Sequence, residues 1–207
     1  RLSTEVLNIK AKAEYQAGQH LFKFGYERDD LDTFNLFVDS SEGVAVFNSI
    51  ADLQAQTPAS ISYRNAFTNN EDDGAAAWSR VLNTVYVQDD FQLTPELLVT
   101  VGLRYDWYGT NDVPLFNPTF QARYGIRNDK SINGLDLWQP RFGFDWRPTD
   151  RLQITGGAGV YSGGDPGVWV SNGYTNTGVT LGRAFSTNPL EINGFDGLNI
   201  PAALQAA

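Results

Sequence analysis

Cysteine and methionine are both absent from the 207 residues, and histidine occurs once, as His20. Without cysteine there is no disulfide framework and no thiolate metal site, although an oxidising compartment is permitted. His20 lies beside a turn with no serine or cysteine nucleophile pattern near it, so a catalytic role is not expected of it. Basic residues are scarce as well: the net charge is −9 and the pI about 4.5. That argues against nucleic acid as a partner, which wants a basic surface. No run of about 18 apolar residues is present to make a membrane helix, and no signal peptide is visible. The missing methionine extends to position 1, which predicts a chain that begins after processing or is cut from a longer one. A mean hydropathy of −0.32 reads as soluble for helical proteins. It carries no such meaning for β membrane proteins, because only alternate residues need be apolar.

What the chain does have is aromatic side chains (13%), 20 glycines and a period of two. In "EVLNIKAKAEYQAGQHLFKFGYE", Leu7, Ile9, Ala11, Ala13 and Tyr15 share one face, against Asn8, Lys10, Lys12, Glu14 and Gln16. After a tight turn at Ala17-Gly18-Gln19, Phe22, Phe24 and Tyr26 face one way, and Lys23, Gly25 and Glu27 the other. A second pair spans 80–108 and turns at Leu93-Thr94-Pro95-Glu96. Leu97, Val99, Val101, Leu103, Tyr105 and Trp107 form its apolar face. The strand before that turn puts Asn83 and Asp89 on the side of Val85 and Val87, which predicts a bulge or a protein-covered patch. A third pair, 138–162, alternates Trp138, Pro140, Phe142, Phe144 and Trp146 with Gln139, Arg141, Gly143, Asp145 and Arg147. It returns through Leu152, Ile154, Gly156, Ala158 and Val160.

The pattern predicts an all-β fold: an antiparallel meander of about six strands, with hairpins at about 5–30, 80–108 and 138–162. Turns are short on one side, and long loops (31–77, 109–136, 163–207) lie on the other. Residues 44–56 are expected to hold a short helix, and the Gly/Asn-rich tail shows no steady period. Loops this long usually carry function. A soluble β-sandwich that binds a carbohydrate or a protein also alternates, with its apolar face buried. Three features favour a membrane wall instead. Trp138 and Trp146 bracket a stretch of roughly 26 Å at about 3.3 Å per residue, which tilted stands close to the apolar band of about 25 Å with its aromatic girdles. Turns and loops are segregated by end, as in outer-membrane barrels. The polar faces mix Lys23 with Glu27, Arg104 with Asp106, and Arg141 and Arg147 with Asp145, as a wet interior would.

Other chemistry is set aside. "NNEDDG" (69–74) lacks the closing glutamate of a calcium loop, since the twelfth position from Asn69 is Arg80. Glu71, Asp72 and Asp73 therefore read as a solvated acidic loop, with adventitious calcium the alternative. "GGAG" (156–159) lacks the third glycine and following helix of a dinucleotide fingerprint. Asp89 and Asp90 point to opposite faces of one strand and are not a paired acid/base site. No catalytic, metal or cofactor-binding residue is expected, the chain is not expected to be an enzyme, and no residue is assigned to a substrate.

The stretch "VYVQDDFQLTPELLVTVGLRYDWYG" (85–109) resembles the barrel signature of TonB-dependent outer-membrane receptors. The matching positions are Tyr86, Gln88, Asp89, Phe91, Leu93, Thr94, Leu98, Gly102, Arg104, Tyr105 and Asp106. "QPRFGFDWRPTDRLQITGGAGVYSGG" is similar to that family's next hairpin. "GQHLFKFGYE", "FNLFV" and "GDPGVWVSNGY" look most like the Oar-type branch, which carries a carboxypeptidase-regulatory-like domain. The resemblance covers most of residues 5–175. It implies a cell outer membrane location, lipid against the apolar faces, an unknown extracellular ligand at the loops, and coupling to the TonB system through a plug. The implied activity is energised import or, in the Oar branch, export or surface signalling. The chain departs from the family in showing no plug and only about six of roughly 22 strands. All of 1–207 is therefore expected to be an incomplete segment of a transmembrane β-barrel. A small self-contained outer-membrane barrel, which would need at least eight strands, is the other membrane reading.

Overall fold

A computed structural model describes residues 1–164, 167–192, 195 and 201–205. The first hairpin joins β1 (Leu2–Ala17) to β2 (His20–Asn35). Then come β3 (Val44–Val46), α1 (Ile50–Gln54), β4 (Ser60–Ala66) and a 3-10 turn at Glu71–Gly74. A second hairpin, β5 (Ala76–Thr94) and β6 (Leu97–Gly109), leads through α2 (Pro118–Tyr124) to a third, β7 (Asp136–Thr149) and β8 (Leu152–Gly159). Last are α3 (Gly167–Thr175), β9 (Leu181–Ser186), α4 (Pro189–Ile192) and α5 (Ala202–Gln205).

The expected six-stranded meander is present as one open antiparallel sheet, β1-β2-β5-β6-β7-β8. Gly18 and Gln19 alone connect the first hairpin, and Gly18 takes φ +62, a left-handed position where a side chain would be strained. The other two turns sit slightly later than the sequence pattern places them. They are two-residue links at Pro95-Glu96 and Asp150-Arg151, with register shifts before each, between Gln92 and Thr94 and between Trp146 and Thr149. Of the bulge or protein-covered patch expected within the strand at 80–92, no bulge forms: pairing runs unbroken from Val81–Gly109 to Gln92–Leu98. Asn83 and Asp89 are accommodated instead by polar partners, described below.

Directly opposed residues of an antiparallel pair share a face, so the register sorts the side chains into rows. One outer row reads Tyr15, Phe22, Asp89, Val101, Phe142 and Ala158. Three residues along, an inner row reads Lys12, Gly25, Tyr86, Arg104 and Gln139. Within that inner row the Tyr86 ring lies so close over Gly25 that a Cβ there would fall 2.1 Å from it, which explains a glycine inside a strand. Pro140 also stands inside a strand. Its carbonyl accepts from Val160 N at 3.0 Å, on the side where the β8 ladder ends, so its missing N–H removes no bond to β6.

The long loops are more ordered than their composition suggests. β3, β4 and β9 form a second, three-stranded sheet that ties the segment after β2 to the tail after β8. The helix expected within 44–56 forms at its C-terminal part only, with Ser49 as N-cap, and Val44–Val46 is a strand. The buried apolar cluster belongs to this loop-end unit and consists of Ile61, Tyr63, Ala184, Ile192 and Leu204. The long sheet has no such cluster. No helix among the described residues is long and apolar enough to cross a membrane, which leaves crossing by strands open.

Candidate functional site

The chemistry of the long sheet lies in the contrast between its faces. On the outer face Val101 is 56% exposed and Phe142 50% exposed, and no second layer among the described residues covers them. On the inner face Gln139 and Thr84 are each 1% exposed and Asp106 is 4% exposed. A soluble sheet would reverse this, burying the rings and wetting the amides. The sandwich reading therefore fails on burial.

Aromatic rims end the outer face. Toward the loops, Tyr105 stacks on Trp107 at 5.4 Å and packs tilted against Trp138 at 4.4 Å, and its hydroxyl donates to Asp136 at 2.7 Å. The Tyr26 hydroxyl donates to Asn83 Oδ1 at 2.9 Å, which satisfies the first of the two polar residues out of pattern. Toward the turns, His20 stacks on Phe91 at 4.3 Å and Phe22 at 5.6 Å. Its Nδ1 meets Asp89 Oδ2 at 2.7 Å, which gives one oxygen of the second a partner, while Asp89 Oδ1 is buried with none among the described residues. The single histidine is thus a partner for a carboxylate on an apolar face.

The inner face carries a ladder of charge. Lys10 reaches Glu27 at 3.6 Å, and Arg104 contacts Glu27 at 3.2 Å and Asp106 at 2.8 Å. Asp106 Oδ1 also accepts from the Thr84 hydroxyl at 2.7 Å, and Oδ2 accepts from Gln139 Nε2 at 2.6 Å. Gln139 Oε1 in turn takes Ser162 N at 3.0 Å. A second knot gathers Lys23, Gln88 and Thr100 on Asp90, at 2.6, 2.9 and 2.8 Å. Arg80 pairs with Asp29 at 2.7 Å. Between these lies a groove of about 210 Å³ bounded by Asn8, Lys10, Glu27, Arg80, Thr84 and Arg104. Opposite charges meet across strands, so the groups of these two knots are compensated, while Arg141 Nε on the same face is buried without a partner among the described residues.

Asp89 and Asp90 point apart, as their adjacency in a strand requires; one meets His20 and the other Lys23. Glu71, Asp72 and Asp73 form the 3-10 turn, capped by Asn70. No group of three or more potential metal-ligating side chains occurs among the described residues. Gly156 to Gly159 lie on the edge strand β8, where a Cβ on Gly157 would come 2.6 Å from the Phe142 carbonyl oxygen. Their smallness admits the close approach of β7.

Sequence reasoning missed the anchor of the loop end. Trp78, near the start of β5, donates its indole N–H to Ser171 of α3 at 2.9 Å, both buried, and stacks on Tyr174 at 6.2 Å. The Tyr174 hydroxyl donates to the Asp112 carbonyl at 2.9 Å. Burial, helped by the Asp112 charge, raises the Tyr174 hydroxyl above its ordinary pKa. In the loop after α2, the Arg127 guanidinium holds the Asp129 carboxyl below the usual carboxylate range. The nearest signal in sequence was the tryptophan itself, at a position where its strand leaves the apolar band.

A family described as an outer membrane beta barrel domain matches residues 2–205. Neither a curated protein nor a solved structure matches the chain.

Proposed function

The chain belongs to the outer membrane beta barrel domain family, and from that premise we propose that it serves as a stretch of wall in an energised transport barrel of the TonB-dependent receptor type. The chain lies in the outer membrane, with lipid against its outer face. In this reading it performs no reaction and binds no cofactor or nucleic acid. Its strands separate lipid from a polar lumen, its loop-end unit meets a solute outside the cell, and energy arrives from the TonB system through a plug.

One observation carries the reading: exposed rings and aliphatic side chains on one face of the sheet, buried and compensated charge on the other. The receptor-type assignment draws further support from where the signature residues fall. Tyr86, Gln88, Arg104 and Asp106 all point to the inner face, where they form the ladder and fill the space over Gly25. The open edges β1 and β8 belong with this reading, because in hydrocarbon every backbone group must be paired. The wall is completed by strands beyond these six.

These 207 residues carry no cysteine, so in a background cleared of any cysteine elsewhere a single introduced thiol reports its own side of the membrane. Val113→Cys, on the loop side, should react with a membrane-impermeant maleimide on intact cells, and Glu96→Cys, at a turn, should react only after the outer membrane is opened. The opposite result sinks the orientation. For the TonB part, uptake of the transported solute should stop when the proton-motive force is dissipated; undiminished uptake would leave a passive barrel.

A further inference from the structure

The segments 36–75 and 160–207 contain only two cationic side chains, Arg64 and Arg183. The fold places these two directly opposite one another, on β4 and β9 of the small sheet. Like charges so opposed destabilise a sheet. Arg64 has structural partners of its own, but Arg183 could be replaced by a neutral residue at no cost to a purely structural sheet, so its place opposite a second cation needs a reason.

Their surroundings differ. Arg64 is held by Asp39 and by Asn176 Oδ1 at 3.2 Å, so its guanidinium is both neutralised and oriented. Arg183 is exposed, and no group among the described residues bonds it. Two positions along β9 on the same face stands Phe185, 63% exposed, opposite Ser62 and in line with Val44. The reverse face of the same sheet is closed by Ile61, Tyr63 and Ala184. The surface thus presents one free, planar, five-donor cation, a second cation fixed at its side, and an aromatic flank.

We propose that Arg64, Arg183 and Phe185 form a binding site for a small anion, a carboxylate or phosphate carrying an apolar or aromatic part. The guanidinium fork matches such oxyanions in a bidentate manner, and the ring covers the apolar part. An anion seated between the two arginines turns their repulsion into attraction to a shared partner. The site rests on the reading of the loop end as the outward-facing, solute-contacting end, and it names the chemistry that end selects. A phosphate of this kind comes either from a soluble solute or from a lipid headgroup.

The test uses the complete protein in zwitterionic detergent micelles, titrated calorimetrically with phenyl phosphate and with inorganic phosphate. Phenyl phosphate should bind saturably and more tightly than inorganic phosphate. Arg183→Gln should weaken it at least about tenfold, the loss of a bidentate charge-assisted contact. Arg183→Lys should recover part of that loss, and Phe185→Ala should erase the preference for phenyl phosphate. Titration in micelles doped with phosphatidylglycerol separates the sources: competition identifies a lipid headgroup, and undisturbed binding a soluble anion. Equal affinity in the parent and in Arg183→Gln, or no saturable binding at millimolar phenyl phosphate, overturns the proposal. Maleimide labelling at Val113→Cys, read on the same protein, reports separately on whether the loop end faces outward.

Discussion

At the scale of single residues, the period of two says which side chains meet lipid, and the structure shows how the exceptions are tolerated. Phe142 stands exposed in the outer row, so Phe142→Arg should cost the complete barrel about 2–4 kcal/mol in urea unfolding from vesicles. Thr155, opposite Asp145 on the inner face, should accept arginine at much smaller cost. Equal costs would contradict the orientation. Gln139 looks from sequence like an equally tolerant inner position, but it is buried and bonded to Asp106 and Ser162, so an arginine there would overpack a satisfied network. Alternation tells which face a residue is on, not how crowded that face is. The same limit applies to Asp89. The pattern marks it as misplaced, yet only the fold reveals that His20, from another strand, answers it. His20→Leu should therefore cost about 1–2 kcal/mol by leaving the carboxylate unpaired, and adding Asp89→Leu should restore most of that. A double variant worse than the single one would show that the pair has a role other than mutual compensation.

At the scale of elements, the strands of the long sheet were legible because each has one apolar and one polar face, and a neighbour in sequence or nearly so. The three strands of the small sheet were not. β3 has three residues, and β4 pairs with β9 from far along the chain. β9 also inverts the usual signal: Ala184 and Ser186 are buried while Arg183 and Phe185 are exposed, so its larger, more informative side chains lie outside. The anchoring of α3 was hidden for a related reason. Its buried residues are Ser171 and Thr175, which no hydrophobic pattern reports. That anchor is open to test. Trp78→Phe keeps the ring but removes the donor to Ser171, leaving a buried hydroxyl with one partner fewer, a loss of about 1–3 kcal/mol. The loss should be local. Amide exchange should quicken over 167–175 while β6 and β7 keep their protection, because α3 packs on the end of β5 and takes no part in the long sheet. Exchange that quickened across the long sheet as well would mean that the loop end supports the wall rather than resting on it.

At the scale of the whole molecule, the governing fact is that the wall is unclosed. The sheet ends in β1 and β8, each bonded to one neighbour only. Both faces of β1 are exposed along nearly its whole length. In water such edges would be blunted by charge or proline. In hydrocarbon they demand partners, since an unpaired backbone group there costs several kcal/mol. The buried apolar cluster cannot compensate, because it lies in the loop-end unit and not between the strands. A polypeptide of residues 1–207 alone, refolded into phosphatidylcholine vesicles, should therefore remain open to added protease and run at the same gel position with and without boiling. A chain that supplies further strands to both edges, as the proposed function requires, should be protected in its strands and shift on heating. Protection of the 207-residue piece by itself would mean that β1 and β8 find partners in one another or in further copies. The six strands would then be a unit of closure, and the lumen with its Arg104–Asp106–Gln139 ladder would be far narrower than a transport barrel requires.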